Sequence, residues 1–279
     1  MLSDLNYNGQ ITHFSGYKID NDSDFGFSPA EYSRFKHGSL DIARQFGYEL
    51  ADRFIENCFC HTYTGQQLVV VPSAYSYIPT ASFYLNVYFV EKLNYYLYSK
   101  GYPVVQETKI SRSVTYREDY GEMSAQDRFK LISGDHFHID RSFVANKQLL
   151  FLDDIKITGT HERIIINMLN EHDIDNDCYM LYFAELVNQT ISPKIENYLN
   201  NYFINSIDDI DTIIKNETFA FNTRLVKYIL NAPPEIFISF INNQSPEFSK
   251  ELFYQAIGNE YFKFESYLTN IKKLEKIMF

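Results

Sequence analysis

The stretch LLFLDDIKITGTHE, residues 149–162, constrains the fold more than any other part of the chain. Residues 149–152 are all apolar, a run of strand length suited to a strand buried on both faces of a parallel sheet. The run ends on two adjacent acids, Asp153 and Asp154. A buried strand does not tolerate paired charges in its middle, so the acids mark its carboxyl end. A turn with Thr158, Gly159 and Thr160 follows, and a helix begins near His161. In open α/β sheets, ligands gather beyond the carboxyl ends of the strands. The N–H groups at a helix start have no intrahelical partner and favour an anion, most simply a phosphate. Carboxylates that accept from vicinal hydroxyls, beside amides and threonines that take a phosphate, suit a sugar phosphate.

The rest of the chain supplies a matching frame. Ser28-Pro29-Ala30-Glu31 reads as a helix start, with Ser as cap and Pro in the first turn. Residues 39–57 carry Ile42, Ala43, Phe46, Leu50 and Phe54 at helical spacing. Residues 68–71 are a second all-apolar strand, ended by Pro72, and residues 80–99 read as a helix. Val104 and Val105 suggest a further short strand, residues 160–171 a helix and residues 179–185 a strand. Strands alternating with helices predict an α/β fold, a doubly wound, Rossmann-like parallel sheet over residues 1–190. Residues 1–27 read as an irregular or strand-like lead-in. From about residue 191 to 279 the pattern is helical, with segments near 194–204, 207–216, 219–231 and 246–257 punctuated by Pro233-Pro234. This predicts a helical C-terminal extension.

Composition excludes several roles. At 45% hydrophobic and 22% charged, the chain of 279 residues is globular in type. A net charge of -11 argues against a nucleic-acid partner, which needs a basic surface. No stretch is long and apolar enough to span a membrane, and the N-terminus has neither a basic nor an apolar leader segment. Cys58, Cys60 and Cys178 are too few and too odd in number for a disulfide framework, as expected of a cytoplasmic protein. Cys58-x-Cys60-His61 lacks a second ligand pair at zinc spacing, and His136 and His138 read as one face of a strand, so no protein-held metal is expected.

The stretch LFLDDIKITGTH resembles the phosphoribosyl-pyrophosphate (PRPP) motif of the type I phosphoribosyltransferases: apolar strand, paired acids, an apolar residue, two variable positions, Thr-Gly, one variable position, then Thr or Ser. Asp153, Asp154, Ile155, Thr158 and Gly159 match. The resemblance implies that Asp153 and Asp154 bind the ribose hydroxyls, and that Ile157, Thr158, Gly159, Thr160 and His161 wrap the 5′-phosphate through their amides. Two positions depart from the pattern. His161 stands where the closing Thr or Ser belongs, with Thr160 beside it able to replace the hydroxyl. Ile157 stands where the 6-oxopurine enzymes carry an Asp, and an apolar side chain does no proton chemistry.

The same resemblance assigns further parts. The segment LVVVPSAYSYIPTAS falls where the family has its pyrophosphate loop, on Ser73, Ala74, Tyr75, Ser76 and Tyr77. Without Gly, close approach to that loop is harder. The polar stretch after Val105 falls where the family has a mobile hood, and it concentrates Lys109, Arg112, Arg117, Arg128 and Lys130. Lys109, Arg112 and Arg117 are the candidate catalytic cations, stabilising the leaving pyrophosphate. Phe183 and Glu185, on the strand after the phosphate helix, are candidates for the acceptor pocket. The segment SPAEYSRFKHG is similar to phosphoribosyltransferase-like proteins of bacterial stress-linked gene clusters. The implied activity is that of a PRPP-dependent pentosyltransferase, a glycosyltransferase of nucleotide metabolism, which moves the phosphoribosyl group to a small-molecule acceptor and releases pyrophosphate. Mg2+ would arrive with the substrate pyrophosphate. A non-catalytic PRPP or nucleotide sensor on the same fold is the alternative, and an interaction module without a ligand is a third. Two roles stay open for the C-terminal helices: capping the acceptor site or forming a homodimer.

Overall fold

The computed structural model describes residues 7–112 and 137–278. The apolar runs become parallel strands. β1 (Ile11–Ile19), β2 (Leu68–Pro72), β3 (Gln106–Glu107), β6 (Gln148–Lys156) and β7 (Cys178–Leu186) form one five-stranded sheet in the order β1-β7-β6-β2-β3. The intervening β4 (Ser111–Arg112) and β5 (Phe137–His138) make a separate antiparallel pair. Helices α1 (Pro29–Lys36), α2 (Leu40–Phe54), α3 (Ala81–Ser99), the short α4 (Arg141–Val144) and α5 (Thr160–Glu171) connect the strands.

Side-chain alternation along the central strands divides the core into two layers. Leu68, Val70, Leu150, Leu152, Tyr179, Leu181 and Phe183 pack on one face with α2 and α3. Val69, Val71, Leu149, Phe151, Met180 and Tyr182 pack on the other with Ile166 and Leu169 of α5. α2 and α3 lie close because Gly47 has no side chain; a Cβ there would sit 2.8 Å from the Leu85 carbonyl oxygen and 2.9 Å from the Phe89 amide nitrogen. Through α3 the chain moves from β2 outward to β3, and through α5 from β6 outward the opposite way to β7. The sheet order therefore reverses between β2 and β6, and the crevice beyond their carboxyl ends is the place where this architecture binds ligands.

The C-terminal region holds α6 (Ile195–Asn201), α7 (Ile207–Asn216), α8 (Thr223–Leu230), α9 (Pro234–Asn242), α10 (Pro246–Gly258) and α11 (Glu265–Met278). Its core joins Ile210, Leu225, Phe237, Leu252, Tyr261 and Leu274, and one residue from outside it, the fully buried Ile78 of the segment after β2. The segment after α7 also clasps the α1–α2 junction. Leu40 N donates to Thr218 O (2.8 Å) and Ala220 N to Gly38 O (2.9 Å). Gly38 has φ +101° and leaves no space for a Cβ beside the Ala220 carbonyl. Arg34 closes the clasp with an ion pair to Glu217 at 2.6 Å.

Of the two readings of the lead-in, the strand-like one holds: it contributes β1, an edge strand paired with β7 along nearly its whole length. The short strand expected at Val104 and Val105 forms one step later, at Gln106–Glu107. Pro233-Pro234 opens α9, because Pro at the first helical position costs no hydrogen bond.

Candidate functional site

The pleat of β6 separates the two acids. Asp153 follows Leu149 and Phe151 onto the α5 face, while Asp154 follows Leu150 and Leu152 onto the opposite face. Asp153 lines a cleft together with Val71, Ser73, Ile110, His161 and Tyr182. Its Oδ1 accepts from Ser73 Oγ (3.0 Å) and from the Asp154 amide (2.9 Å), and its Oδ2 accepts from His161 Nδ1 (2.7 Å). A carboxylate has about four lone-pair sites, so one remains for a ligand. Asp154, 5% exposed, accepts from Tyr32 OH at 2.5 Å and forms an ion pair with Lys36. Burial pushes both carboxyls up. For Asp153 the His161 ring and the Lys36 charge outweigh burial and hold it well below the usual carboxylate range. For Asp154 burial and the neighbouring Asp153 charge outweigh Lys36, and its pKa is raised. The adjacent carboxyls thus titrate apart, and the cleft-facing one stays ionised. Asp154 fastens the end of β6 to α1, which the clasp at Gly38 anchors in turn.

The turn after β6 depends on a glycine in the left-handed region. Gly159 has φ +68° and caps α5, a conformation that glycine adopts without strain. Thr158 and Thr160 share a hydrogen bond at 2.8 Å, and Arg163 Nη2 donates to Thr160 at 3.2 Å. Both ends of the turn are tied to a buried carboxylate. Glu162, in the first turn of α5, accepts from Lys156 Nζ (2.9 Å), His13 Nε2 (2.9 Å) and Tyr182 OH (2.7 Å). Burial alone would raise the Glu162 carboxyl; its three donors outweigh burial and bring it down to about 2. Lys156 also reaches Glu185 at 3.2 Å. Lys156 and Glu162 flank the turn in sequence, so their pair closes its base.

The segment after β2 is held from two sides. Ser73 reaches Asp153, and Ser82 Oγ of α3 donates to Ser73 Oγ at 3.0 Å. Farther along, the amides of Tyr77 and Ile78 both donate to Asn259 Oδ1, each at 3.1 Å. Asn259 follows α10, and Gly258 leaves its face open to the Tyr77 ring. Of the residues expected in the pyrophosphate loop, Ser73 and Ala74 line the cleft, and Tyr77 has its amide committed to Asn259. Lys109 Nζ lies 3.9 Å from the Tyr75 ring centroid and donates to Ser76 O at 3.2 Å, which ties the segment after β3 to the segment after β2. Burial lowers the Lys109 pKa.

Arg112 lies on β4. Arg117, Arg128, Lys130 and His136 lie outside the described residues. Phe183 does not face the cleft. It is 1% exposed and stacks on Phe46 at 4.2 Å in the opposite layer, so it is a core residue. Glu185 is half-buried and bound by Ser15 Oγ (2.7 Å) and Lys156. Sequence reasoning missed Tyr32 and Lys36, although their spacing of four on a helix places a phenol and an amine on one face. It also missed Glu162, a charge in the first turn of α5, and Asn259, for which no local signal exists. No group of three or more His, Cys, Asp or Glu side chains that could hold a metal occurs among the described residues. No described helix is long and apolar enough to cross a membrane.

The model of the PRTase ComF-like family matches residues 11–274. The chain belongs to this family. The match takes in β1 and the C-terminal helices, so the helical region of this PRTase ComF-like chain falls within the family pattern, beyond the residues 28–190 that the sequence motifs reach. Two crystal forms of a hypoxanthine phosphoribosyltransferase from Staphylococcus aureus are similar to it in structure. They show 13% and 12% identity and TM-scores of 0.33 and 0.32, over 53% and 55% of this chain and 75% and 77% of theirs. The hypoxanthine-guanine phosphoribosyl transferase of L. donovani is similar at 16% identity and a TM-score of 0.30, over 52% of this chain and 68% of that one. No curated protein matches the sequence.

Proposed function

We propose that the protein binds PRPP in the cleft between β2 and β6 and transfers its phosphoribosyl group to a small-molecule acceptor, with release of pyrophosphate. The observation that carries this reading is the meeting of an ionised, cleft-facing Asp153 with a Gly159-capped helix start, at the point where the strand order reverses. Asp153 accepts from a ribose hydroxyl. The turn from Thr158 to His161 takes the 5′-phosphate through its amides. Ser73 and Ala74 border the pyrophosphate, with Lys109 near its outer end. Mg2+ would come bound to the pyrophosphate and would neutralise charge on the leaving group. This suits a cleft in which Asp153 is the one lining carboxylate among the described residues. The substrate class and the unpaired Cys58, Cys60 and Cys178 fit a cytoplasmic enzyme of nucleotide metabolism.

Titration calorimetry with Mg2+-PRPP and with ribose 5-phosphate tests the reading, on the wild type and on Asp153→Asn. The wild type should bind both, and the variant should lose at least tenfold for each. A wild type that binds neither overturns the assignment. The Asn259 contact to Tyr77 and Ile78 supports a second reading, a PRPP or nucleotide sensor, because it commits part of the loop to the helical region. In that case binding occurs and no acceptor yields pyrophosphate.

A further inference from the structure

Paired acids at the end of a strand suggest two carboxylates for the two vicinal hydroxyls of a ribose. The cleft offers one. Asp154 stands on the face shared with α2 and α3, where its Oδ2 takes the Tyr32 hydroxyl at 2.5 Å and the Lys36 ammonium. A ligand hydroxyl that displaced these donors would strand the Lys36 charge, whose side chain is only 12% exposed. Asp153 is the one carboxylate among the described residues that line the cleft. Ser73 Oγ and the Asp154 amide fill its Oδ1, and His161 Nδ1 takes one lone pair of its Oδ2. One lone pair is left, enough for one hydroxyl donor. Two of the other polar side chains in the lining are already engaged. Ser73 Oγ donates to Asp153 and accepts from Ser82 Oγ at 3.0 Å, and Tyr182 OH donates to Glu162 at 2.7 Å. The place of Asp153 also says which hydroxyl it reads. His161 belongs to the turn proposed for the 5′-phosphate, and its ring is bonded directly to Asp153 Oδ2 at 2.7 Å. The open lone pair on that oxygen therefore lies close to the phosphate end. On a furanose 5-phosphate the 3-hydroxyl is one carbon nearer the phosphate than the 2-hydroxyl.

We infer that the cleft reads the 3-hydroxyl of its sugar through Asp153 and leaves the 2-hydroxyl without a carboxylate partner, so that it takes 2-deoxypentose 5-phosphates as readily as ribose 5-phosphates. This rests on the cleft being the sugar-phosphate site. The second acid of the motif has become a strand anchor: its pair with Lys36 holds β6 to α1 and removes it from recognition of the sugar. The class of ligand widens accordingly, from ribose esters to 2-deoxyribose esters that keep the 3-hydroxyl and the 5-phosphate.

The test is titration calorimetry of the full chain with methyl α-ribofuranoside 5-phosphate and its 2-deoxy, 3-deoxy and 2,3-dideoxy counterparts. The methyl group locks the furanose ring and removes the anomeric hydroxyl, so the four esters differ only at positions 2 and 3. The 2-deoxy ester should bind within about threefold of the parent, because it loses no charge-assisted hydrogen bond. The 3-deoxy and dideoxy esters should each bind about tenfold or more weakly, the loss of one hydrogen bond to a carboxylate. In Asp153→Asn the acceptor is neutral, and the ratio of parent to 3-deoxy affinity should shrink by about threefold or more. A 2-deoxy ester that loses about tenfold or more overturns the inference, since a further group then reads that hydroxyl. So does a 3-deoxy ester that binds as well as the parent, or a 3-deoxy loss that persists in full in the variant. These results leave the cleft as the sugar-phosphate site. A wild type that binds none of the four esters overturns that reading, and this inference with it.

Discussion

Replacing Glu162 with Gln removes the charge at the base of the turn after β6 and keeps its shape. The cost follows from linkage. The Glu162 carboxyl lies at about 2 in the folded protein against an ordinary 4.5. At about 1.4 kcal/mol per tenfold change in proton affinity, that interval amounts to roughly 3 kcal/mol of stability at neutral pH. The sign is that of a depressed acid. The contribution is complete above pH 4.5 and is lost as the pH falls toward 2. Gln stands in for the protonated acid, and its NH2 would face Lys156, His13 or Tyr182 with a donor where each needs an acceptor. Urea unfolding of the wild type and Glu162→Gln should therefore differ by about 2–3 kcal/mol at pH 7, and the gap should stay constant to about pH 5 and narrow below it. A gap that is absent at pH 7, or that persists undiminished to pH 3, refutes the account of Glu162 as an ionised hub.

Lys36→Met should cost about 3–5 kcal/mol by stranding the buried Asp154 carboxylate, whereas Lys36→Met with Asp154→Leu should recover most of that loss in the same unfolding assay. Asn259→Ala should cost about 1–3 kcal/mol and speed hydrogen exchange at the Tyr77 and Ile78 amides, read by mass spectrometry, with exchange in β6 unchanged. Gly159→Ala should cost about 1 kcal/mol, because φ +68° is strained for alanine. The nearest atom to the added Cβ is Lys156 Cε at 3.7 Å, so there is room for it. Ribose 5-phosphate affinity should then fall severalfold in calorimetry through distortion of the turn.

The motif was legible because its parts are adjacent in the chain. An apolar run, two acids and a Gly-containing turn specify a strand, a turn and a helix by local rules, and α5 begins where those rules put it, although β6 runs on past both acids to Lys156. The alternation of runs likewise specified the sheet class. What local rules left out is which side of the sheet each acid faces and what holds it. Asp154 reads in sequence as the twin of Asp153, yet its partners Lys36 and Tyr32 come from 118 and 122 residues away. Only the pleat and the docking of α1 show that it fastens the strand while its neighbour faces the cleft. Phe183 failed for a related reason: a strand near its carboxyl end presents one side chain to the core and the next to the cleft, and register decides which.

The helical region carries the same lesson further. Most of its helices bury their apolar faces against one another, while α6 packs Ile195 and Leu199 into the core that α2 and α3 share with the sheet. Its other contacts include two segments beside the cleft: Ile78 and Tyr77 after β2, and the α1–α2 junction behind Lys36. A helix bundle that merely extended the chain would have no reason to accept two loop amides with Asn259 or to take Ile78 of the segment after β2 into its core. Docked as it is, the bundle sets the positions of both walls of the switch-point crevice. A change in its packing must therefore reach the Ser73–Asp153–His161 chain through Tyr77 on one side and through Lys36 and Asp154 on the other.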